Sequence, residues 1–372
     1  MKILFWLSFL VIVYTYLGYP LLLILLSQKK GGKDTDYSCA PFEPNVSLII
    51  PVHNEEEIIG DKIQNTLSLD YPKEKLEIIV VSDSSTDRTE EIVRRYEEEG
   101  VKFFKQPVRK GKASALNLGL QEAQQEILVF SDASIFLAGD ALRNILNSFA
   151  DGRIGCVSGE DYIPGGGGEG VYGKYELFLR NLESRTGSIV GASGCFYAQR
   201  RSLCEPFPEG MAPDFFSVLK TVEKGFRAVT EQKAKGFMRS VKSPQNEFER
   251  KVRTLLRGMT TIFCFRHLMN PFQYGIFSIL LISHKLVRWW AGLFLILLFL
   301  SNLFLLSSII YASFFWLQLA FYALAIVGWM GLSRPKIFRI PLFFSMVNLS
   351  ALVAWIKYIS GFRQEIWEPS KR

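Results

Sequence analysis

An apolar run, residues 126–130, leads into Ser131-Asp132-Ala133-Ser134. A strand end carrying two acids one residue apart would hold a divalent cation against a phosphate, because hard cations take oxygen ligands. Here the second acid is Ser134. Asp132 alone also fits an ordinary strand end with a turn-forming Asp. Other residues able to do chemistry punctuate the chain at similar places. Pro51-Val-His53-Asn-Glu55 follows one apolar run, Asp83 and Asp87 a second, and Arg109-Lys-Gly-Lys112 a third. Asp214 follows Pro213 before an amphipathic stretch, where an N-cap would look the same as a catalytic acid. Acids suit a ribose, a base edge or a metal, and cations suit a diphosphate. A nucleoside-diphosphate ligand uses both.

The elements between these residues say how they could meet. Residues 46–50 read as a buried strand closed by Pro51. Asn54 is expected to cap a helix running to about residue 69, with Glu55, Glu56 and Glu57 at its positive end. Strands follow at 76–81, 101–105 and 126–130, and helices at 88–99 and 112–124. Asp87 reads as a helix cap. This β-α-β-α-β-α-β order predicts an α/β fold with a mostly parallel sheet covered by helices. Ligands of such sheets bind outside the carboxyl ends of the strands, where the polar residues stand. A dinucleotide site would need G-x-G-x-x-G after the first strand. PVHNEE stands there instead, and the glycine run at 165–168 reads as a flexible loop.

The chain has 372 residues, 49% hydrophobic and 21% charged, with the apolar residues gathered at the two ends. Residues 3–26 carry no charge and are long enough to cross a bilayer. Lys29 and Lys30 follow, without a small-residue cleavage site, so an uncleaved anchor is expected and not a secretory signal. Lys29, Lys30 and Lys33 place the following domain in the cytoplasm by the positive-inside rule. Further spans are expected at 289–308, 309–331 and 341–359, the last weakened by Asn348 and Lys357. The cations at 334–339 favour a cytoplasmic loop, and the side of the tail stays open. The expected organisation is an anchor at 1–28, a linker at 29–44, a cytoplasmic domain at 45–248, amphipathic interfacial helices at 249–285, membrane helices at 286–360 and a tail at 361–372.

Net charge is +7. Its cations cluster beside apolar segments, so attraction to anionic headgroups explains it and no nucleic-acid partner is expected. Arg250, Lys251, Arg253 and Arg257 recur at helical spacing and read as a membrane-surface helix with Arg253 turned inward. The five cysteines are widely spaced without a C-x-x-C, which signals neither a disulfide framework nor a zinc site. A transporter would need polar or broken membrane helices, and the C-terminal spans look mostly apolar.

The motifs VSLIIPVHNEE, EIIVVSDSSTDRT, RKGKASALNLGL, ILVFSDASIF, GASGCFYAQRR, APDFF and RKVRTLLRG are weak singly and specific in this order. Over roughly residues 45–265 the chain resembles the membrane-bound family 2 glycosyltransferases of GT-A (Rossmann-like) fold, the group that includes cellulose, chitin and hyaluronan synthases. The resemblance implies an integral membrane protein of the plasma or inner membrane that moves a sugar from a nucleotide-diphospho-sugar to a hydroxyl with inversion. Its implied partners are that donor, a lipid-linked or glycan acceptor, and the membrane.

By the same resemblance, Pro51, His53 and Glu55 pack against base and ribose, Asp83 contacts the base, and Lys112 lies near the nucleotide. Asp132 matches the first acid of the D-x-D motif and the ligand of Mg²⁺ or Mn²⁺. Gly191, Ala192, Ser193 and Gly194 line donor and acceptor sites, Asp214 is the general base, and Arg253 neighbours the diphosphate. Three positions depart from the pattern. Ser134 replaces the second acid, so the metal should lean on Asp132, the diphosphate and water, and bind weakly without nucleotide. Thr254 stands for the tryptophan of the processive polymerases, and Pro213 for a glutamate. Transfer of one or few sugars is therefore expected over a processive polysaccharide synthase, with a non-catalytic relic as a further alternative.

Overall fold

The computed structural model describes residues 1–29, 42–163, 167–238, 244–331 and 336–362. Lys30, Lys33, part of the glycine run at 165–168, most of the cationic loop at 332–335 and the tail from 363 lie outside them. Among the described residues eight strands form one sheet. They are β1 (Val46–Val52), β2 (Leu76–Ser82), β3 (Val101–Lys105), β4 (Ile127–Ser131), β5 (Phe136–Leu137), β6 (Ile154–Tyr162), β7 (Phe196–Arg200) and β8 (Arg227–Phe237), in the order β3-β2-β1-β4-β7-β6-β8-β5. The first four pair in parallel, with Ile49 opposite both Ile79 and Phe130. β7 runs antiparallel between β4 and β6, so the sheet is mixed beyond β4.

β1 is buried at every position, as expected of a strand covered on both faces. Its alternating residues feed two cores. Leu48, Ile50 and Val52 pack with Val80, Val129 and Ile145 on one face. Ile49 packs on the other with Ile79 and Leu128, in a core that continues to Tyr19, Leu256, Trp289 and Trp355. One face of the sheet is thus packed directly onto the membrane-proximal helices.

Asn54 is placed differently from expectation. It does not cap a helix: its backbone is left-handed, at φ 52°, and its Oδ1 accepts from the Thr86 backbone amide at 2.8 Å. Asn is among the residues that tolerate this conformation. The helix starts later, at Ile59, and runs to Leu67. Asp87 stands one residue before Arg88, the N-cap of the helix Thr89–Arg94; its Oδ1 accepts from Thr89 N at 3.0 Å and its Oδ2 from Glu56 N at 3.1 Å. The two loops that follow β1 and β2 are therefore laced together.

Among the described residues four helices are long and apolar enough to cross a membrane: Lys2–Gln28, Ile276–Leu303, Ile309–Trp329 and Ile337–Ile359. The second begins at Ile276, where the sequence reading starts a span at 289. Its first half carries His284, Lys285 and Arg288, which look interfacial in sequence; His284 and Arg288 are received by acids of the Gly167–Thr186 helix. Two single π-turns interrupt this bundle, Tyr14–Gly18 in the first membrane helix and Ile282–Val287 in the second. They face each other, with Tyr14 Oη and Ser283 Oγ 2.7 Å apart. Asn348, which weakens the last span in sequence, accepts from Tyr16 Oη at 3.0 Å.

Candidate active site

A cavity of about 430 Å³ opens at the carboxyl ends of β1 and β4 and continues down to the membrane helices. Pro51, Glu55, Lys112, Asp132, Ser134, the 191–194 loop, Asp214 and Arg253 all line it.

Lys112 opens the helix Lys112–Glu122, directly after Gly111, whose φ of +90° favours glycine. Its ammonium pairs with Asp132 and donates to Gly194 O at 3.0 Å. One lysine therefore ties the end of β4 to the loop that leads into β7. Glu55 faces the same carboxylate. Burial, and then the charge of Asp132, push it up to about 7.

Asp214 is the second residue of the helix Pro213–Glu223, with proline in the first turn, where its missing N–H costs nothing. Gly194 is the near neighbour of this acid: a methyl group there would sit 3.7 Å from the Asp214 carboxylate, in ordinary contact. Burial raises the Asp214 pKa, opposed by the charges of Lys112, Lys285 and Arg257. A carboxylate raised in this way is a better proton acceptor than a solvated one.

Arg257 reads in sequence as part of a membrane-surface helix and not as a site residue. It is only 8% exposed, donates from Nε to Met211 O at 3.1 Å, and faces Asp214. It follows Arg253 by four residues in the helix Pro244–Cys264, so both share one face. Reading that face to its end would have found it. Thr254, in contrast, is exposed and donates to Arg250 O at 2.9 Å.

His53 and Asp83 are placed differently from the other expected residues. Neither lines the cavity. Asp83 is 1% exposed, and its two oxygens accept from Lys110 N at 2.8 Å and Gly111 N at 2.7 Å. His53 Nδ1 lies 2.8 Å from Asp83 O. Both residues brace the turn that presents Lys112.

Lys62 also escapes sequence reading, because a lysine in an amphipathic helix looks solvated. It is fully buried and donates to Ser131 Oγ at 2.8 Å and Ile135 O at 2.6 Å, so it clasps both ends of the Asp132–Ser134 turn. Burial pulls its pKa down to about 7. Lys62→Met keeps the aliphatic stem and loses both bonds, for an expected cost of about 1–3 kcal/mol. The wild type should gain on this variant as pH rises. Between about 7 and the unfolded value of about 10.4, the unfolded chain holds a proton that the folded lysine does not. Melting temperatures of both proteins in detergent, at the two ends of that window, check this.

Below the 191–194 loop, where the Gly167–Thr186 helix meets the membrane helices, the surroundings of the cavity are polar. Glu183 meets His284 Nδ1 and Tyr19 Oη, each at 2.5 Å, and Glu176 pairs with Arg288 and His284. Burial alone would raise Glu176, but Arg288 and His284 hold it well below the usual carboxylate range. Among the described residues no group of three His, Cys, Asp or Glu side chains could enclose a metal ion. Asp132 is thus a single hard oxygen ligand at an open edge, a donor set that fits a cation shared with a diphosphate and water.

The mixed sheet, with its cavity at the carboxyl ends of β1 and β4, is that of the GT-A fold. Residues 47–206 match the profile described as Glycosyl transferase family 2. The chain carries a family 2 glycosyltransferase domain on a GT-A fold. It is similar to a probable glycosyltransferase of Bacillus subtilis, with 43% identity over 24% of this chain and 23% of that one. It is also similar to a poly-beta-1,6-N-acetyl-D-glucosamine synthase of Staphylococcus epidermidis, with 29% identity over 42% of this chain and 40% of the relative. The matched region spans less than half the length of these curated relatives. A solved mannosyltransferase of Pyrobaculum calidifontis, in complex with GDP-Man and Mn²⁺, superposes with a TM-score of 0.72 at 25% identity, covering 96% of this chain and 99% of that one.

Proposed function

We propose that the protein transfers a sugar from a nucleoside-diphosphate donor to a hydroxyl acceptor at the cytoplasmic membrane face, with inversion. The observation that carries this is the single cavity joining Asp132 and Lys112 to Asp214 and then to the membrane helices. The donor diphosphate takes the end of β4, near Lys112, Arg253 and Arg257. A divalent cation bound through Asp132, as the Mn²⁺ complex of the similar mannosyltransferase suggests, supplies charge for the leaving diphosphate. Asp214 takes the acceptor proton, the acceptor oxygen bonds to the anomeric carbon, and the carbon–phosphate-oxygen bond breaks. Its electron pair leaves with the nucleoside diphosphate.

The test is nucleoside diphosphate release by purified protein over a panel of nucleotide sugars, with and without Mn²⁺. Turnover with at least one donor, stimulated by metal, is expected. Tight nucleotide binding with no turnover for any donor would instead favour a binding protein. The poly-N-acetylglucosamine synthase relative favours polymer formation as a second reading. Against it, Thr254 offers no aromatic face to stack an acceptor sugar. Product length after extended reaction separates the two.

A further inference from the structure

Lys285 lies in the π-turn of the second membrane helix, and its side chain reaches up to the catalytic loop. Its Nζ would be 3.1 Å from a Cβ on Gly191, and it stands 5.3 Å from the ring of Phe215, the residue after Asp214. Its neighbours His284 and Arg288 are consumed by Glu183, Glu176 and Tyr172. Lys285 is not. Among the described residues it makes no hydrogen bond or ion pair, although it feels the charges of Glu176 and Glu183, and the side chain lines the cavity. A cation on a membrane helix is costly, faces a cavity or a partner, and marks a ligand path. The surrounding wall comes from three membrane helices, with Tyr16, Trp289, Val347 and Ala351. Such a wall suits an amphiphile more than a soluble glycan.

We infer that the acceptor is a membrane lipid bearing a phosphate in its headgroup, with the phosphate held by Lys285 and the hydroxyl presented to Asp214. This rests on the transferase reading above. The geometry fits one headgroup. Lys285 meets the 191–194 loop at Gly191 and Asp214 meets it at Gly194, three residues that span at most about 10 Å. The lipid phosphate is untouched by the reaction: the hydroxyl proton goes to Asp214, the new oxygen–carbon bond forms, and the nucleoside diphosphate leaves.

The experiment uses membranes from cells expressing the full chain, incubated with radiolabelled GDP-mannose, UDP-glucose and UDP-N-acetylglucosamine. The label is expected in the organic phase of a chloroform–methanol extract, retained on an anion exchanger and released by salt. Label in an unretained neutral lipid, in a water-soluble phosphate ester or in a polymer overturns the inference. No nucleotide release from any donor overturns the transferase reading itself. Lys285→Met should cut label in the anionic lipid about tenfold to hundredfold, the worth of a lost charged hydrogen bond. Its nucleotide affinity by calorimetry should stay at the wild-type value. An equal loss of nucleotide affinity places Lys285 on the donor and overturns the assignment.

Discussion

Asp214→Asn is expected to reduce sugar transfer by about 10²–10⁴-fold in kcat, the usual worth of a positioned general base, with nucleotide affinity nearly unchanged. The substitution keeps the shape of the side chain at the head of the Pro213–Glu223 helix and removes only the proton acceptor. Its pH profile makes the role specific. Burial raises the Asp214 pKa, so the acid limb of kcat should lie above the ordinary aspartate value of about 3.9. As pH falls through that raised value the base is protonated and the rate falls. The residual activity of Asp214→Asn should lack this limb. Wild-type turnover in the variant would remove Asp214 from the mechanism. A melting temperature taken alongside separates catalysis from folding.

Asp132→Ala is the second large effect, with an expected loss of about 10³-fold in kcat/KM, since charge stabilisation at a leaving diphosphate is worth several kcal/mol. It also has a signature that ordinary damage would lack. Asp132 is the partner of Lys112, so its removal frees an ammonium at the place the diphosphate needs a cation. Nucleotide binding should then become insensitive to Mn²⁺, while its metal-free affinity stays the same or improves. Titration of nucleoside diphosphate with and without Mn²⁺, on both proteins, reads this directly. A variant that keeps the full metal dependence would place the cation elsewhere.

The first half of the sheet was legible because each strand is a continuous apolar run and each helix begins on a polar turn. β1 to β4 and Lys112 stand within a residue or two of where pattern places them. The second half was not, since β8 (Arg227–Phe237) mixes buried Ala228 and Val229 with exposed Gln232 and Lys233. The Asp132–Ser134 turn was legible as a strand end but its clasp by Lys62 was not, because burial of a lysine depends on Ser131 and Ile135, about seventy residues away. His53 and Asp83 look like ligand contacts in sequence because the type and position are right. Coordinates show His53 Nδ1 and both Asp83 oxygens in hydrogen bonds to the backbone. The start of the second membrane helix was hidden by its own charges. His284 and Arg288 read as an interface until Glu176 and Glu183, roughly a hundred residues earlier, are seen to meet them.

The two facing π-turns carry a consequence for how these helices tolerate change. A π-turn holds one residue more than an α-turn, and one residue is about 100° of rotation around a helix. The wide turn absorbs that residue within itself, so the helix beyond Tyr14–Gly18 and Ile282–Val287 keeps the phase it would have without it. Deleting Leu286 would let the helix run regularly and leave Trp289 on its own face, while the side chains inside the turn, Lys285 among them, would move. In these two segments the effect of chain length is held within the turn. A one-residue deletion there should disturb the cavity at Lys285 and spare the packing of the helix beyond it.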